Sequence, residues 1–471
     1  MGSSSTADPL VVPSSARDLL GSPYAGYVYS YPHKTAYRPL APMPTLGDVW
    51  RGQDLSALFL YVHVPFCEMR CGFCNLFTRT GAPAELVGRY LDALERQARA
   101  VREAIPEARF AVAAVGGGTP TYLDAPELER LFDIATEVMG ADLGSIPMSV
   151  ETSPATATPE RLAVLAERGT TRVSIGVQSF DDAEARASGR PQRRADVEAA
   201  LAAIRDAAVP TLNIDLIYGI DGQTRASWLA SIDAALAWRP EELYLYPLYV
   251  RPLTGLGRRA VTRADWDEDR LALYRAGRDR LREAGYEQVS MRMFRRADAL
   301  PDAAGGPAGA AGTDAAGSDA QGGYRCQRDG MIGLGCGARS YTTDLHYSFE
   351  YAVGVGEVRA IIDDYVTLDQ DAFTRARVGY RLDVGERRRR HLLTSLLQAD
   401  GLAAPDYRAE FGTDAEADFA AELAPLADAG LLTVSAAGIH LTDEGLAWSD
   451  AIGPALFSPE TSTLMHGYRP R

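Results

Sequence analysis

Lysine is all but missing from this chain. Lys34 is the only one in 471 residues, so nearly all positive charge is arginine. Lys and Arg together number 48 against 63 Asp and Glu, for a formal net charge of −15. So acidic a surface disfavours general binding to nucleic acid or anionic membranes, because the phosphates would be repelled. Cysteine is scarce as well. Five residues, an odd number, exclude a secreted disulfide framework. No apolar run is long enough to span a membrane, and the first residues lack the basic stretch and apolar core of a signal peptide. With 46% apolar and 24% charged residues, disordered and collagen-like chains are also excluded. What is left is a soluble, cytoplasmic α/β chain of two or three domains.

Against that background the order of elements is regular. Residues 1–22 are small and polar and read as a mobile tail. Residues 23–51 carry Tyr24, Tyr27, Tyr29, Tyr31 and Tyr37 among prolines, which predicts a non-helical arm laid onto the body. From residue 58 strands alternate with helices. Strands are predicted at 59–64, 109–115, 147–151, 171–177, 211–217 and 242–248. Helices are predicted at 84–104, 126–139, 159–168, 192–207 (opened by Pro191), 224–237 and 263–285. Six such repeats imply parallel strands with right-handed crossovers, either an open doubly wound sheet or a partial β/α barrel. In both, the chemistry sits at the C-terminal ends of the strands. Residues 298–323 are rich in Ala, Gly and Asp and read as a flexible insert. Structure resumes at 324–350. Residues 351–457 read as a small helical domain with a two-strand wing near 432–442. Its acidic helix over 408–431 argues against DNA binding. The run Arg387-Arg388-Arg389-Arg390-His391 reads as a solvated, ion-paired helix face.

Three of the five cysteines fall within eight residues, as Cys67-Glu-Met-Arg-Cys71-Gly-Phe-Cys74 on a loop directly after a strand. Thiolates suit iron–sulfur or zinc centres. A closed zinc site wants a fourth ligand from a second CxxC or a His pair, and neither is nearby; His63 is awkwardly placed on the preceding strand. Three thiolates on a four-iron cluster leave one iron open to a ligand.

The segment from Tyr61 through Cys74 resembles the radical SAM superfamily, and more closely its oxygen-independent coproporphyrinogen III oxidase-like (HemN-like) branch. GGGTPTYL (116–123), RVSIGVQSF (172–180), DLIYGIDGQT (215–224) and GLGCGARSY (333–341) match that branch in order. The resemblance covers residues 58–350, with 351–457 similar to the branch's C-terminal domain. It implies an α/β fold built as a partial (β/α)6-type TIM barrel. The arm would occupy 1–57, the barrel 58–297, the insert 298–323, a barrel-associated segment 324–350 and a winged-helix-like domain 351–471. It also implies a [4Fe–4S] cluster on Cys67, Cys71 and Cys74, chelated by the amino and carboxylate groups of S-adenosylmethionine. Reductive cleavage would give methionine and a 5′-deoxyadenosyl radical that abstracts hydrogen from a substrate. By the same resemblance Tyr61, Gly117, Gly118, Thr119, Glu151, Gln178, Arg190 and Asp215 contact the S-adenosylmethionine. Arg190 would pair with its carboxylate and Asp215 with its ribose hydroxyls. Phe73 would shield the cluster.

The sequence departs from the true oxidases at Leu76, where they carry a further cysteine. A porphyrinogen oxidase or heme-handling protein is thus one alternative. A methyltransferase or cyclopropanase using two S-adenosylmethionine molecules is another, and a non-catalytic cluster-bearing protein a third. The expected partners are a small-molecule substrate and a reductant such as flavodoxin or ferredoxin, with the chain acting as a monomer. His33, Lys34 and His346 are further candidates to face the substrate, though a lone His is more often structural. Cys326 and Cys336 are expected to be small buried residues, Cys336 near the barrel mouth.

Overall fold

The computed structural model describes residues 15–251, 254–257, 265–299 and 324–468. The insert expected at 298–323 lies outside the described residues except for Asp298 and Ala299. So do residues 1–14 of the expected tail and the first two residues of the helix expected at 263–285. The described part of the tail is a short helix, Ala16–Leu20, capped by the Ser15 hydroxyl and ion-paired from Arg17 to Glu268.

Six strands follow the predicted repeat: β1 (Leu58–Val64), β2 (Phe110–Gly117), β3 (Met148–Thr152), β4 (Arg172–Gln178), β5 (Thr211–Tyr218) and β6 (Glu242–Pro247). Each pairs in parallel with the next. The connecting helices are α1 (Ala84–Ala104), α2 (Ala125–Asp133), α3 (Pro159–Glu167), α4 (Arg194–Asp206) and α5 (Arg225–Leu236), with α6 (Trp266–Glu283) after β6. Pro191 was expected to open α4 and does not; it stands two residues ahead of Arg193, which occupies the N-cap. The strands run in chain order with no reversal. A doubly wound sheet would reverse at a switch point, so the partial barrel is the architecture found.

Later segments extend both edges. β7 (Tyr286–Gln288) and β8 (Met293–Arg296) add antiparallel strands beyond β6. On the other side β9 (Met331–Leu334) pairs in parallel with β1, and β10 (Arg339–Tyr341) and β11 (Leu345–Ser348) follow it. β12 (Val378–Arg381) comes next, although the sequence placed it in the C-terminal domain, and the arm dipeptide Arg38–Pro39 completes the edge. These elements form one 13-stranded sheet among the described residues.

Period-two alternation divides this sheet into two faces with different jobs. Leu60, Val62, Val150, Val173, Ile175, Leu212, Ile214 and Leu243 point outward into the main core under the helices. Each such burial contributes about 1.5–3 kcal/mol. Tyr61, Ser149, Glu151, Arg172, Ser174, Asn213, Asp215 and Glu242 alternate with them and line the lumen. α1 seals the β1 side with Leu86, Tyr90, Leu94 and Val101, and the Tyr90 hydroxyl donates to the His63 carbonyl at 2.7 Å.

The C-terminal part holds α7 (Val355–Tyr365), α8 (Val384–Leu396), α9 (Ala404–Phe411) and α10 (Ala420–Asp428). Then comes the expected wing, β13 (Leu432–Ser435) against β14 (Gly438–Leu441). The helix expected over 408–431 is broken at Gly412, whose left-handed backbone ends α9. The arginine run is not the solvated face expected. Arg390 is buried and donates to the Cys326 and Gln327 carbonyls, while Arg388, Arg389 and His391 pair with Asp418, Glu422 and Glu410. The domain is fastened to the barrel by a buried ion pair of Arg292 with Asp450, which also accepts from the Tyr249 hydroxyl. Among the described residues no helix is long and apolar enough to cross a membrane.

Candidate functional site

The cysteine loop leaves the C-terminal end of β1 and is closed at its base. Phe66–Cys67 pairs with Arg79–Thr80, and the Arg79 amide donates to the Pro65 carbonyl at 2.6 Å. Within the loop the Cys74 amide donates to the Cys71 carbonyl at 3.1 Å. Cys67 is buried, while Cys71 and Cys74 are partly open. The Cys67 thiol stands 3.5 Å from the Thr119 hydroxyl, Cys74 lies 3.8 Å from the Thr78 hydroxyl, and the Arg190 guanidinium reaches Cys71 Sγ at 3.6 Å. Gly72 makes the Arg190 contact possible, because a Cβ there would come within 2.8 Å of the Ser188 carbonyl.

The loop after β2 packs beneath the cysteines. The Thr119 amide donates to the Phe66 carbonyl at 2.8 Å and the Gly118 amide to Val64 at 2.7 Å. Gly117 has φ of 117°, and a Cβ on it would strike the His63 ring at 2.5 Å. Only glycine fits there. Its freed amide donates to Glu151 Oε2 at 3.0 Å.

Glu151, next to last in β3, and Asp215, in the middle of β5, face the lumen and are half-buried. Burial pushes the Glu151 carboxyl up to about 7, opposed by the Gly117 amide and reinforced by the Asp215 charge. Burial likewise raises Asp215 to about 6, opposed by Asn213, whose amide donates at 2.7 Å, and by Arg172 and Arg190. Gln178 is a non-glycine residue at φ 69°, at a bulge where β4 slips against β5. That turn lays its amide against Gly176, next to Arg190, whose Nε donates to Gln192 at 2.8 Å. Phe73 packs among Ile217, Ile220, Leu248 and Leu256.

Tyr61 faces the lumen with its hydroxyl 3.2 Å from His63 Nδ1, and His63 Nε2 sits 3.1 Å from the Phe77 carbonyl. Burial and the Lys34 charge lower His63 to about 3, so it is a neutral positioning group with both nitrogens engaged, not a fourth ligand. Cys326 and Cys336 are buried in turns before and after β9. His33 packs edge-on to Tyr29 and Tyr351, and burial lowers it to about 3.

The donor set fits a multi-iron cluster. Three soft sulfurs converge from one loop. Burial pushes the Cys67 thiol up to about 12 and raises Cys74, so bare thiolates are disfavoured until iron charge stabilises them. Among the described residues no three His, Cys, Asp or Glu side chains converge as a single ion requires. A cluster holds its thiolates farther apart than one ion does.

Sequence reasoning missed the floor of the lumen. Arg172 pairs with Glu242 at 2.7 Å and donates to the Ser149 hydroxyl at 3.0 Å, all three residues being buried. The signal was available, since both are charges inside apolar strands, as Asp215 is. It also missed Arg339, which lies inside one of the matched motifs.

With this geometry in hand, the comparisons with known proteins agree on one lineage. The model of the Radical SAM superfamily matches residues 61–235, and that of the HemN C-terminal domain matches residues 382–448. An oxygen-independent coproporphyrinogen III oxidase of Pseudomonas aeruginosa is 29% identical over 440 residues, covering 91% of each chain. The heme chaperone HemW of Bacillus subtilis is 25% identical over 389 residues, covering 82% of this chain and 95% of its own. Among solved structures, coproporphyrinogen III oxidase (HemN) of Escherichia coli superposes with a TM-score of 0.74 at 24% identity, over 91% of this chain and 96% of that one.

Proposed function

The chain is a HemN-like member of the radical SAM superfamily, and on that premise we propose that it cleaves S-adenosylmethionine reductively and directs the resulting radical at an organic substrate. The observation that carries this reading is the convergence of the cysteine loop, Arg190, Glu151 and Asp215 on one end of the lumen. When bound, the cluster and S-adenosylmethionine supply one electron and a sulfonium whose cleavage releases methionine and a 5′-deoxyadenosyl radical.

The chain's own residues bind, orient and exclude water. Cys67, Cys71 and Cys74 are the cluster ligands, and the Thr119 and Thr78 hydroxyls lie against the first and last of them. Arg190 has a fixed guanidinium, braced by Gln192, suited to a carboxylate. The loop 116–119 presents backbone groups at close approach for the methionine amino end, with Glu151 as its anion. Asp215, held by Asn213 and Ser174, is placed to accept from ribose hydroxyls, and Gln178 and Tyr61 flank the same space. Phe73 closes the apolar side near the cysteine loop. A flavodoxin- or ferredoxin-like protein serves as reductant.

The relatives' own names favour a second, narrower reading, oxidation of coproporphyrinogen III or handling of heme. Leu76 argues against the oxidase. Anaerobic reconstitution with iron and sulfide, followed by dithionite and S-adenosylmethionine, tests the main reading. Methionine and 5′-deoxyadenosine are expected, and their absence overturns it. Vinyl products from added coproporphyrinogen III would establish the narrower reading. Transfer of label from methyl-deuterated S-adenosylmethionine would establish a methyltransferase.

A further inference from the structure

Away from the cysteine loop the lumen changes sign. Its far end is built by the arm and by β10, β11 and β12, and there the buried charges are positive. Lys34 is 9% exposed, with its ammonium donating to the Gly337 carbonyl at 2.7 Å and lying 4.9 Å from the centre of the Tyr351 ring. No carboxylate among the described residues lies within ion-pair distance of it. The charged side chain that acts on it most is another cation, Arg339, itself 7% exposed and lying over the Tyr29 ring. A buried cation without a counter-charge is costly, and a like charge within electrostatic reach makes it more so. Burial and Arg339 together draw the Lys34 ammonium down to about 7, which registers the missing anion.

A second, independent observation marks the same place. The Tyr37 hydroxyl, both ring nitrogens of His346 and the Ser348 hydroxyl are buried with no hydrogen-bond partner among the described residues. These residues are 4%, 2% and 5% exposed. Arg339 and Ser348 are register partners across β10 and β11, as are Tyr341 and His346, so all four share the lumen face. Arg339 is also an electrostatic neighbour of both Tyr37 and His346. Tyr61 lies within electrostatic reach of both ends, of Glu151 on one side and Arg339 on the other.

We propose that Lys34 and Arg339 form a subsite for an oxyanion of the substrate, a carboxylate or a phosphate, with Tyr37, His346 and Ser348 completing its hydrogen bonds. Substrate and cofactor would then bind at opposite ends of one lumen, with the hydroxyl-bearing nucleoside at the acidic end and the substrate anion at the basic end. The proposal rests on the preceding reading only in taking the lumen as the substrate chamber.

A chain with a single lysine allows a direct test. The cluster-reconstituted full chain is methylated with formaldehyde and cyanoborohydride, and Lys34 is quantified by peptide mass against the N-terminal amine. Rates are compared in succinate, in inorganic phosphate and in chloride at equal ionic strength. At least five-fold protection of Lys34 by succinate or phosphate over chloride is expected, with the N-terminal amine unaffected. The more protective anion distinguishes carboxylate from phosphate recognition, and Arg339→Gln should abolish the protection. Equal rates in all three salts overturn the proposal. So does a Lys34 that never reacts while the N-terminus does, because the amine would then be closed to small solutes. The wild-type comparison decides even if the variant does not fold. Cleavage of S-adenosylmethionine needs no substrate, so failure of that assay and failure of this one are separate results.

Discussion

The two ends of the lumen are made from the same sheet and treat charge in opposite ways. At the cysteine end, Glu151 and Asp215 are recessed but supplied with partners, the Gly117 amide and the Asn213 side chain. At the arm end, Lys34 and Arg339 are buried within electrostatic reach of each other, and the Tyr37 hydroxyl, the His346 ring nitrogens and the Ser348 hydroxyl have no hydrogen-bond partner among the described residues. A third site shows what a satisfied buried cation looks like. Arg292 is buried in ion contact with Asp450 and lies 3.7 Å from the Tyr27 ring centre. The difference teaches where the fold keeps its stability. The outward apolar face and pairs such as Arg292–Asp450 hold the molecule together, which leaves the inward face free to carry a cation such as Lys34 with no carboxylate beside it.

That comparison can be broken or sharpened by substitution. The largest effect is expected at Cys71→Ala, which should lose cluster absorbance on reconstitution and drop S-adenosylmethionine cleavage to background. Asp450→Ala converts Arg292 into a cation as isolated as Lys34. Denaturant melts should show a loss of about 3–5 kcal/mol, and a neutral result would mean that buried cations are tolerated generally here. Gly117→Ala forces a methyl against His63 at a positive φ and should cost about 1–3 kcal/mol while weakening S-adenosylmethionine binding.

Lys34→Met should do the reverse, stabilising the ligand-free chain by about 1–3 kcal/mol at pH 7. The folded ammonium titrates near 7 against 10.5 unfolded. The unfolded state therefore binds more protons between those values, and wild-type stability should rise with pH across that window. Melts of the variant should lack this slope. The smallest effect is expected at Glu151→Gln. The folded carboxyl sits near 7 against 4.5 unfolded, so the folded state holds the extra proton and wild-type stability should fall as pH rises between them. The variant should flatten that fall, by about 1 kcal/mol for a half-buried group.

Much of the cofactor end was legible in the chain itself. The cysteine spacing, the Gly116–Thr119 turn and Glu151 lie at or just beyond the ends of strands that period-two alternation locates, and Asp215 is a charge in the middle of another. Arg190 is twelve residues beyond Gln178, but its contact with Cys71 depends on the glycine-lined approach of two loops, which no local pattern encodes. The arm was legible only in outline. Its tyrosines implied burial, and Tyr24, Tyr31 and Tyr37 are buried, yet nothing local shows that Arg38–Pro39 would join the sheet beside β12. β12 itself, four residues long, pairs into the sheet unannounced, because so short a strand carries no periodic signal. The arginine run misled for a related reason. Its pattern matched a solvated helix face, and only the docking of α8 against the Cys326 segment buries Arg390.

The sequence by itself determined the order of strands and helices, the outward core and the three cysteines that would hold a cluster, because each is written in spacing along a few residues. The tertiary structure alone decided that the lumen has an acidic and a basic end. That division depends on Lys34 meeting Arg339 across some three hundred residues of chain. Such a meeting follows from how the arm closes over an extended sheet, and the polar groups it gathers carry no shared pattern that a local reading could detect.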